Sequence, residues 1–339
     1  MSYGHQNSQH EFPTESLPVA PPPARRPWYA RKGFRIAAAT TAITVTAATI
    51  AGIGVVHHLS NNVRSTAVDG LNSSPDMDGP LNILVVGSDE RDGSIEAGDA
   101  EGRRSDSMMV VHLNAAHDKA TGVQIPRDTM VTPPKGSAEY SSNPNQPIQI
   151  NSLLEEGDSQ LVAAVSDLTG MKLDHYVDVS FGGFISIVDS LGGIDMCLPE
   201  AINDPDANLK VQAGCHTLHG KDALAMARTR HAIGDGSDLA RIRHQQSVMK
   251  AILKKADKDS VLSDPLKMFD ILDKASSAIT VDDGLQNPSD LTALLRAFAT
   301  VGRDHVDFEQ LPVVPYPWDT NRVELSDEGA ALLKTIQHN

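Results

Sequence analysis

The sequence predicts an α/β domain, with a central sheet covered by helices on both faces, standing behind one transmembrane helix. Three observations predict it. Short runs rich in Val, Ile and Leu, bounded by Gly, Asn, Asp and Pro, have the form of buried strands. Between and after them apolar residues recur at helical spacing, and strands alternating with helices imply a sheet flanked on both sides. Ahead of both, residues 36–56 read "IAAATTAITVTAATIAGIGVV" without a single charge.

Residues 1–35 are polar and proline-rich with no periodic apolar positions, so they read as a disordered cytoplasmic tail that cannot bury a core. The uncharged run at 36–56, at about 1.5 Å per residue, roughly spans the ~30 Å hydrocarbon layer of a bilayer. A cleaved signal peptide is the alternative, but its apolar region would be shorter and nearer the N-terminus. Arg25, Arg26, Arg31, Lys32 and Arg35 precede the span and the next basic residue after it is Arg64. The positive-inside rule therefore keeps the tail in the cytoplasm and places everything from about His57 outside the cell membrane, single-pass. Residues 57–79 end in the breaker cluster "NSSPDMDGP" and read as a linker, with the extracytoplasmic domain occupying 80–339.

Within that domain, 81–87, 106–114 and 120–126 are the buried-strand runs, and 175–180, "HYVDVS", alternates like another strand. Helical spacing marks 159–170, 181–193, 220–230, 238–256, 264–276 and 290–302, and the last residues read as a closing helix of the same domain. The chain's two cysteines, Cys197 and Cys215, flank what reads as a loop. Outside the cell they are a plausible disulfide worth about 3 kcal/mol on the loop-entropy model; the alternative is two buried thiols. No neighbouring ligands at zinc spacing accompany them.

The formal net charge is −15, which opposes polynucleotide binding, since that needs a broad basic surface. Against this background, residues 228–246, "RTRHAIGDGSDLARIRHQQ", concentrate four arginines. On a helix starting near Asp238, the side chains of Asp238, Arg241 and Gln245 fall within about 60° of one another on the stripe continued by Ile242, Met249 and Ile252. Arg243 points away. A buried Asp238–Arg241 pair is the purely structural alternative. Arg228 and Arg230, two apart where a helix ends, point the same way if the backbone there is extended, with Thr229 opposite.

Strand ends repeat the pattern. Ser88, Asp89 and Arg91 follow one strand, Arg103, Arg104 and Asp106 precede the next, and Arg127 and Asp128 follow a third. Each taken singly is an ordinary solvated turn, yet strand ends in α/β sheets are where ligands bind. Together they offer two carboxylates, Asp89 and Asp106, beside a ring of arginines. Arginine forks match phosphate oxygens, and one or two carboxylates with phosphates and water make the usual Mg²⁺ site. The expected ligand is a diphosphate bridged to the protein through Mg²⁺, with Mn²⁺ as a substitute. No G-x-x-x-x-G-K-[ST] loop is present, so the energy of any transfer must reside in the substrate, and a membrane-tethered domain suggests a lipid-linked one.

The motifs "NILVVGSDERDG", "RRSDSMMVVHLN", "GVQIPRDTMV", "LDHYVDVSFGGFISIVDSLGGIDMCLP", "GKDALAMARTRH" and "DLARIRHQQ" resemble, in order and spacing, those of the LytR-CpsA-Psr family over about residues 80–315. The resemblance implies a three-layer α-β-α sandwich with a central mixed sheet. It also implies a phosphotransferase that moves a glycan phosphate from a polyprenyl diphosphate carrier to a hydroxyl of peptidoglycan or another wall acceptor. By motif position, Asp89 and Asp106 hold Mg²⁺, while Arg104, Arg127, Arg228, Arg230 and Arg241 bind the diphosphate and act in catalysis. Asp238 orients these arginines or serves as the base, and Arg91, Asn151 and Gln245 contact substrate. Relatives commonly carry Lys where this chain has Gln149, and Arg where it has His244. The polyprenyl chain needs an apolar groove, for which Leu161, Val162, Val165, Phe181, Phe184, Ile185 and Val188 are candidates, with core packing the alternative role. Rival functions are a lipid-diphosphate hydrolase using the same residues and a non-enzymatic lipid-glycan binding or regulatory protein. The sequence leaves the polymer open, with arabinogalactan, teichoic acid and capsule as candidates.

Overall fold

The three apolar runs after residue 80 lie side by side in the sheet that organises this computed structural model, which describes residues 63–89, 105–229, 238–259, 261, 267, 270–271, 273–274, 276–301 and 305–338. All described residues lie in one compact unit, Ile53–Asn339. Among them no helix is long and apolar enough to cross a membrane. The tail, the expected span at 36–56 and most of the expected helix at 264–276 lie outside the described residues.

In chain order, β1 (Arg64–Thr66) is followed by an antiparallel meander of β2 (Leu81–Ser88), β3 (Ser105–Leu113) and β4 (Ala120–Ile125). The short pair β5 (Met130–Val131) and β6 (Ile148–Gln149), with α1 (Ala138–Ser142) between them, closes the segment beyond β4. Then α2 (Leu153–Glu156) and α3 (Asp158–Thr169) lead to β7 (His175–Ser180) and α4 (Phe181–Ser190). Two antiparallel pairs come next, β8 (Ile194–Leu198) with β11 (Gly214–Leu218) and, nested between them in sequence, β9 (Ile202–Asp204) with β10 (Leu209–Val211). After them come α5 (Gly220–Arg228), α6 (Asp238–Lys258), β12 (Ile279–Asp282), α7 (Pro288–Thr300) and β13 (Val306–Gln310). The hairpin β14 (Val313–Tyr316)–β15 (Asp319–Leu325) and α8 (Asp327–Gln337) end the described chain.

The main sheet has seven strands in the order β1-β12-β7-β2-β3-β4-β13, and it is mixed, with β2–β7, β4–β13 and β1–β12 parallel and the other pairs antiparallel. The period-2 alternation of a strand divides its apolar residues between two layers. Leu84, Val86, Met108, Val110, Val123 and Ile125 pack against Leu161 and Val165 of α3 and Leu333 and Ile336 of α8. Leu81, Ile83, Leu113 and Ala120 pack the other way, with Leu294 and Ala297 of α7. Burial on both faces explains why these strands read as unbroken apolar runs. A further core, including Ile194, Met196, Leu218, Met226 and Val248, joins α4, α5 and α6 to the β8–β11 ladder.

Two expectations need correction. Residues 63–79, with their breakers, are expected to be linker, but Arg64–Thr66 form edge strand β1 paired with β12, and Val68, Leu71 and Met77 pack against the cores. A three-residue edge strand is too short to leave a periodicity. The segment between the cysteines is expected to be a loop but contains the paired strands β9 and β10, and Cys197 lies directly opposite Cys215 and is bonded to it. Both cysteines are exposed, on the solvent face of the β8–β11 ladder. Replacing both by serine is expected to lower the unfolding free energy by about 3 kcal/mol. Urea denaturation of the non-reduced protein measures this, and a loss below about 1 kcal/mol would mean that the ladder holds the segment without the bond.

Candidate functional site

Five strands end or begin at one end of the sheet, where candidate residues gather. Ser88, at the end of β2, lies opposite Ser180, at the end of parallel β7, and opposite Ser105, at the start of antiparallel β3. β4 and β13 end there too, with Gln124 opposite Gln310. The register between β2 and β3 shifts at this point: Gly87 pairs with Ser107 and Ser88 with Ser105, leaving Asp106 as the extra residue of a bulge. Gly87 allows the approach, because a Cβ there would meet the Ser107 Cβ at 3.3 Å. Bulges are common beside active sites, where they re-aim a side chain. Ser88 Oγ donates to Asp178 Oδ2 at 3.0 Å with both residues buried. This bond fastens β2 to β7 immediately before half-buried Asp89 leaves the sheet. Asp89 and Asp106, the expected metal pair, therefore occupy the same end of adjoining strands. Among the described residues no group of three or more His, Cys, Asp or Glu forms a metal cluster.

Arg91, Arg104 and Arg230 lie outside the described residues, as does Arg103. Asp106, Asp238 and Arg241 are placed by their backbone in β3 and α6, but their side chains are outside the described set.

Beyond β4, Asp128 gathers several donors. Arg127 Nε lies 3.7 Å from Asp128 Oδ2, Arg322 Nη1 lies 3.5 Å from Oδ1, and Gln149 Nε2 donates to Oδ1 at 2.7 Å. Gln149, at the position that the family resemblance would give to lysine, thus holds an amide directed at a carboxylate. Asn151 is buried in a 3₁₀ turn at Ile150–Ser152, tied to the same loop by Ile150 N–H donating to Thr129 O at 2.9 Å. Arg322 escapes sequence reasoning. It sits in a strand without alternating burial, remote from every motif, and the parallel bridge Thr129–Val323 brings it to Asp128.

A cavity of about 270 Å³ lies between the sheet and α4, α5 and α6. Val85, Met109, Phe184, Ile187, Val248 and Ile252 give it an apolar interior, and Gln124, Arg228, Gln245 and Gln246 provide polar groups. Arg228, exposed at the end of α5, holds its guanidinium 4.8 Å from the Phe181 ring centroid, so one residue pair joins the apolar wall to a cation. Gln245, reached from α6, accepts through Oε1 from Gln124 Nε2, which also approaches Ser107 Oγ at 3.3 Å. Gln245 therefore faces the site end of the sheet as its helical position predicts, with its carbonyl oxygen held by Gln124. Of the expected groove residues, Phe181 and Phe184 line the cavity. Leu161, Val162, Val165 and Val188 are fully buried core, and Ile185 is half-buried without lining the cavity. Amphipathic spacing marks a residue as buried without saying whether helix, sheet or ligand covers it.

Thr229 fixes the arginine-bearing turn. Its backbone is extended, with φ −60° and ψ 137°, as expected, and the residue is fully buried. Its Oγ1 donates to Asp204 Oδ2, and Asp204 Oδ1 accepts the backbone N–H groups of Asp206 and Ala207 at 3.0 and 3.1 Å. From the other side His244 Nδ1 approaches Thr229 O at 3.3 Å. His244 thus backs the turn from behind and does not line the cavity, consistent with its place on the helical wheel.

Burial holds the His244 imidazole below the ordinary histidine value; the Thr229 carbonyl opposes that shift and Arg243 reinforces it. His112, bonded to Asn82 Oδ1 at 2.8 Å, is likewise lowered by burial, against the pull of Asp174. The unfolded chain then binds more protons than the native one below about pH 6.5, where free histidine titrates. The stability from the neutral native histidines is present above that pH and falls as pH drops through it, by at most about 1.4 kcal/mol per pH unit for each histidine. Urea midpoints at pH 7.5 and 5.5 should therefore separate more for the wild type than for His244→Gln or His112→Asn, and equal separations would refute the assignment.

The sequence profile described as the LytR_cpsA_psr family matches residues 45–336. The cell wall biosynthesis protein LcpA of Corynebacterium glutamicum is 31% identical over 284 residues, covering 75% of this chain and 54% of that protein. A protein of Bacillus cereus named polyisoprenyl-teichoic acid–peptidoglycan teichoic acid transferase TagU is 33% identical over 186 residues, 54% of this chain and 55% of the relative. The chain thus spans little more than half the length of these curated relatives. Among solved structures, a LytR-Csp2A-Psr enzyme from Actinomyces oris superposes with a TM-score of 0.63 at 25% identity, covering 81% of this chain and 95% of that one.

Proposed function

The chain belongs to the LytR-CpsA-Psr family, and on that premise we propose that it moves a glycopolymer, as glycan phosphate, from a polyprenyl diphosphate carrier to a hydroxyl of peptidoglycan or another envelope acceptor. One observation carries the reading. An apolar cavity bears a cation, Arg228 over Phe181, on its wall, and it abuts the strand ends that hold Asp89, Asp106 and the Arg127 loop. A lipid diphosphate has the same polarity, an apolar chain joined to a compact anion. In this reading the cavity takes the carrier's first isoprene units, and residues 36–56 anchor the domain outside the membrane.

Arg228 and Arg127, with Arg104, Arg230 and Arg241, would grip the diphosphate oxygens by their forks. Asp89 and Asp106, one or two carboxylates beside phosphate, suit Mg²⁺, which when bound would neutralise charge on the diphosphate. The acceptor hydroxyl oxygen forms a bond to the sugar-proximal phosphorus as the anhydride P–O bond breaks. The arginines meet the charge that collects on the departing polyprenyl phosphate. Asp238, first residue of α6, would orient the arginines or receive the hydroxyl proton. Thr229, held by Asp204 and His244, keeps Arg228 in place before substrate arrives.

The test gives the full-length protein a polyprenyl-diphosphate-linked glycan, a peptidoglycan oligomer and Mg²⁺, and locates the glycan phosphate by mass spectrometry. Transfer to the oligomer, lost in Asp106→Ala, is the expected result. Release of free glycan phosphate alone would make the protein a hydrolase, and binding without turnover would make it a carrier-glycan binding protein. Filling the cavity by Ala227→Phe is expected to raise the donor KM at least about tenfold, the order of a few lost apolar contacts, while leaving the acceptor KM unchanged.

A further inference from the structure

The tip of the β14–β15 hairpin carries a feature that the proposed chemistry does not use. Pro317 and Trp318 form its turn. Trp318 is 81% exposed, the most exposed large apolar side chain among the described residues, and its ring lies 5.2 Å from that of Tyr316, tilted by 56°. Tryptophan in water at a turn loses apolar burial without any gain in folding. Around the rings are exposed Asp319, Thr320 and Asn321, and Asp319 also takes the Asn321 N–H at 2.9 Å.

The hairpin is not remote from the candidate site. Arg322, four residues beyond Trp318, contacts Asp128, and Val323 N–H donates to Asp128 O at 3.2 Å. At about 3.3 Å per strand residue, the tip stands roughly 13 Å from that anchor, about the length of a disaccharide. The root of the hairpin packs through Leu325 into the α3–α8 layer with Val131 and Ile150, whereas the lipid-sized cavity opens on the opposite face, under α4, α5 and α6. A ligand reaching both the site and the tip therefore approaches from the side away from the carrier.

We infer that Tyr316 and Trp318 form a binding platform for the acceptor glycan, a β-linked amino-sugar strand, alongside the site of transfer. This rests on the transferase reading above. A pyranose face presents weakly positive C–H bonds to the negative face of an aromatic ring, and neighbouring Asp and Asn side chains satisfy its hydroxyl and amide groups. A membrane surface is the other natural partner for exposed tryptophan, but the tip fits it poorly. Anionic leaflets attract basic segments, while this tip offers acidic Asp319, and Arg322 in the same strand is drawn to Asp128 and Asp319.

The chain has two tryptophans, Trp28 and Trp318, so Trp28→Phe in the full-length protein leaves Trp318 as the sole indole emitter. Titration with a β-1,4-linked N-acetylglucosamine tetrasaccharide is expected to change its emission saturably, in the millimolar range typical of one exposed subsite. Vesicles of phosphatidylcholine and phosphatidylglycerol should leave it unchanged. In the transfer assay Trp318→Ala is expected to raise the acceptor KM about tenfold with kcat and donor KM held, and Trp318→Tyr to recover most of the loss. An indole this exposed can be removed within about 0.5 kcal/mol of stability, so folding will not confuse the result. A response to vesicles and not to saccharide, or no response to either, would overturn the platform, as would an unchanged acceptor KM in an active enzyme. If the wild type transfers nothing, the transferase reading fails by itself and the titration alone decides whether Trp318 binds saccharide.

Discussion

Arg228→Ala is expected to lower transfer turnover by about 10²–10³-fold at saturating donor, the usual loss when one preorganised donor to a developing oxyanion is removed. The residue joins three features: it ends α5, its guanidinium stands over Phe181, and it is exposed beside the apolar cavity. Its position is set by the next residue, buried Thr229, whose Oγ1 donates to Asp204, so the variant should lose the cation and leave the turn intact. Arg228→Lys keeps the charge but not the fork and should recover only part of the rate. Phe181→Leu should act mainly by loosening the guanidinium. Initial rates at saturating and limiting donor separate the two cases, because an interaction made only in the transition state lowers kcat and kcat/KM equally. If Arg228→Ala changes the donor KM alone, the arginine is a ground-state anchor.

The largest loss of stability is expected from Asp282→Ala, about 3–5 kcal/mol, because one buried carboxylate satisfies several buried hydrogen-bonding groups at once. Asp282 ends β12 and is 5% exposed. Its carboxylate accepts Tyr176 N–H at 3.0 Å and Gly284 N–H at 2.9 Å, and His175 Nδ1 lies 3.1 Å from Oδ2. Alanine would leave two backbone donors and a buried imidazole without this partner, and each such group costs roughly 1–3 kcal/mol. β12 joins β1 to β7, so the damage should spread to the sheet edge and leave the β2–β3–β4 meander in place. Urea denaturation gives the free energy and amide exchange its location. Asp282→Asn, which keeps one acceptor, should cost less than half as much, and equal losses would mean that shape rather than hydrogen bonding governs the site.

Legibility in the sequence followed burial. Leu81, Ile83, Leu84 and Val86 show the strand because both faces of β2 are covered, and α3 and α7 show their apolar stripes for the same reason. β13 alternates between half-buried and exposed positions, and β15 is exposed over its first three residues and half-buried over the rest, patterns that many loops share, so Arg322 and the Trp318 tip go unnoticed. The charged strand ends were readable as a group, because a sheet that binds ligands concentrates such residues at one edge. Their partners were not. Nothing local indicates that Gln124 meets Gln245, 121 residues away, or that Gln149 turns to Asp128.

The sequence by itself determined the α/β class, the principal strands and helices, the family motifs and the residues that bring charge to strand ends, because periodicity and turn chemistry are local consequences of which side chains avoid water. Only the tertiary structure decided that residues 64–66 complete the sheet, that the cysteine segment is a ladder, and that Asp106 is the extra residue of a bulge. It also separated the aromatic residues that line a cavity from the aliphatic ones that fill the core. Those outcomes depend on long-range pairing, in which a buried side chain is specified by the surface that covers it, and sequence spacing carries no record of that surface.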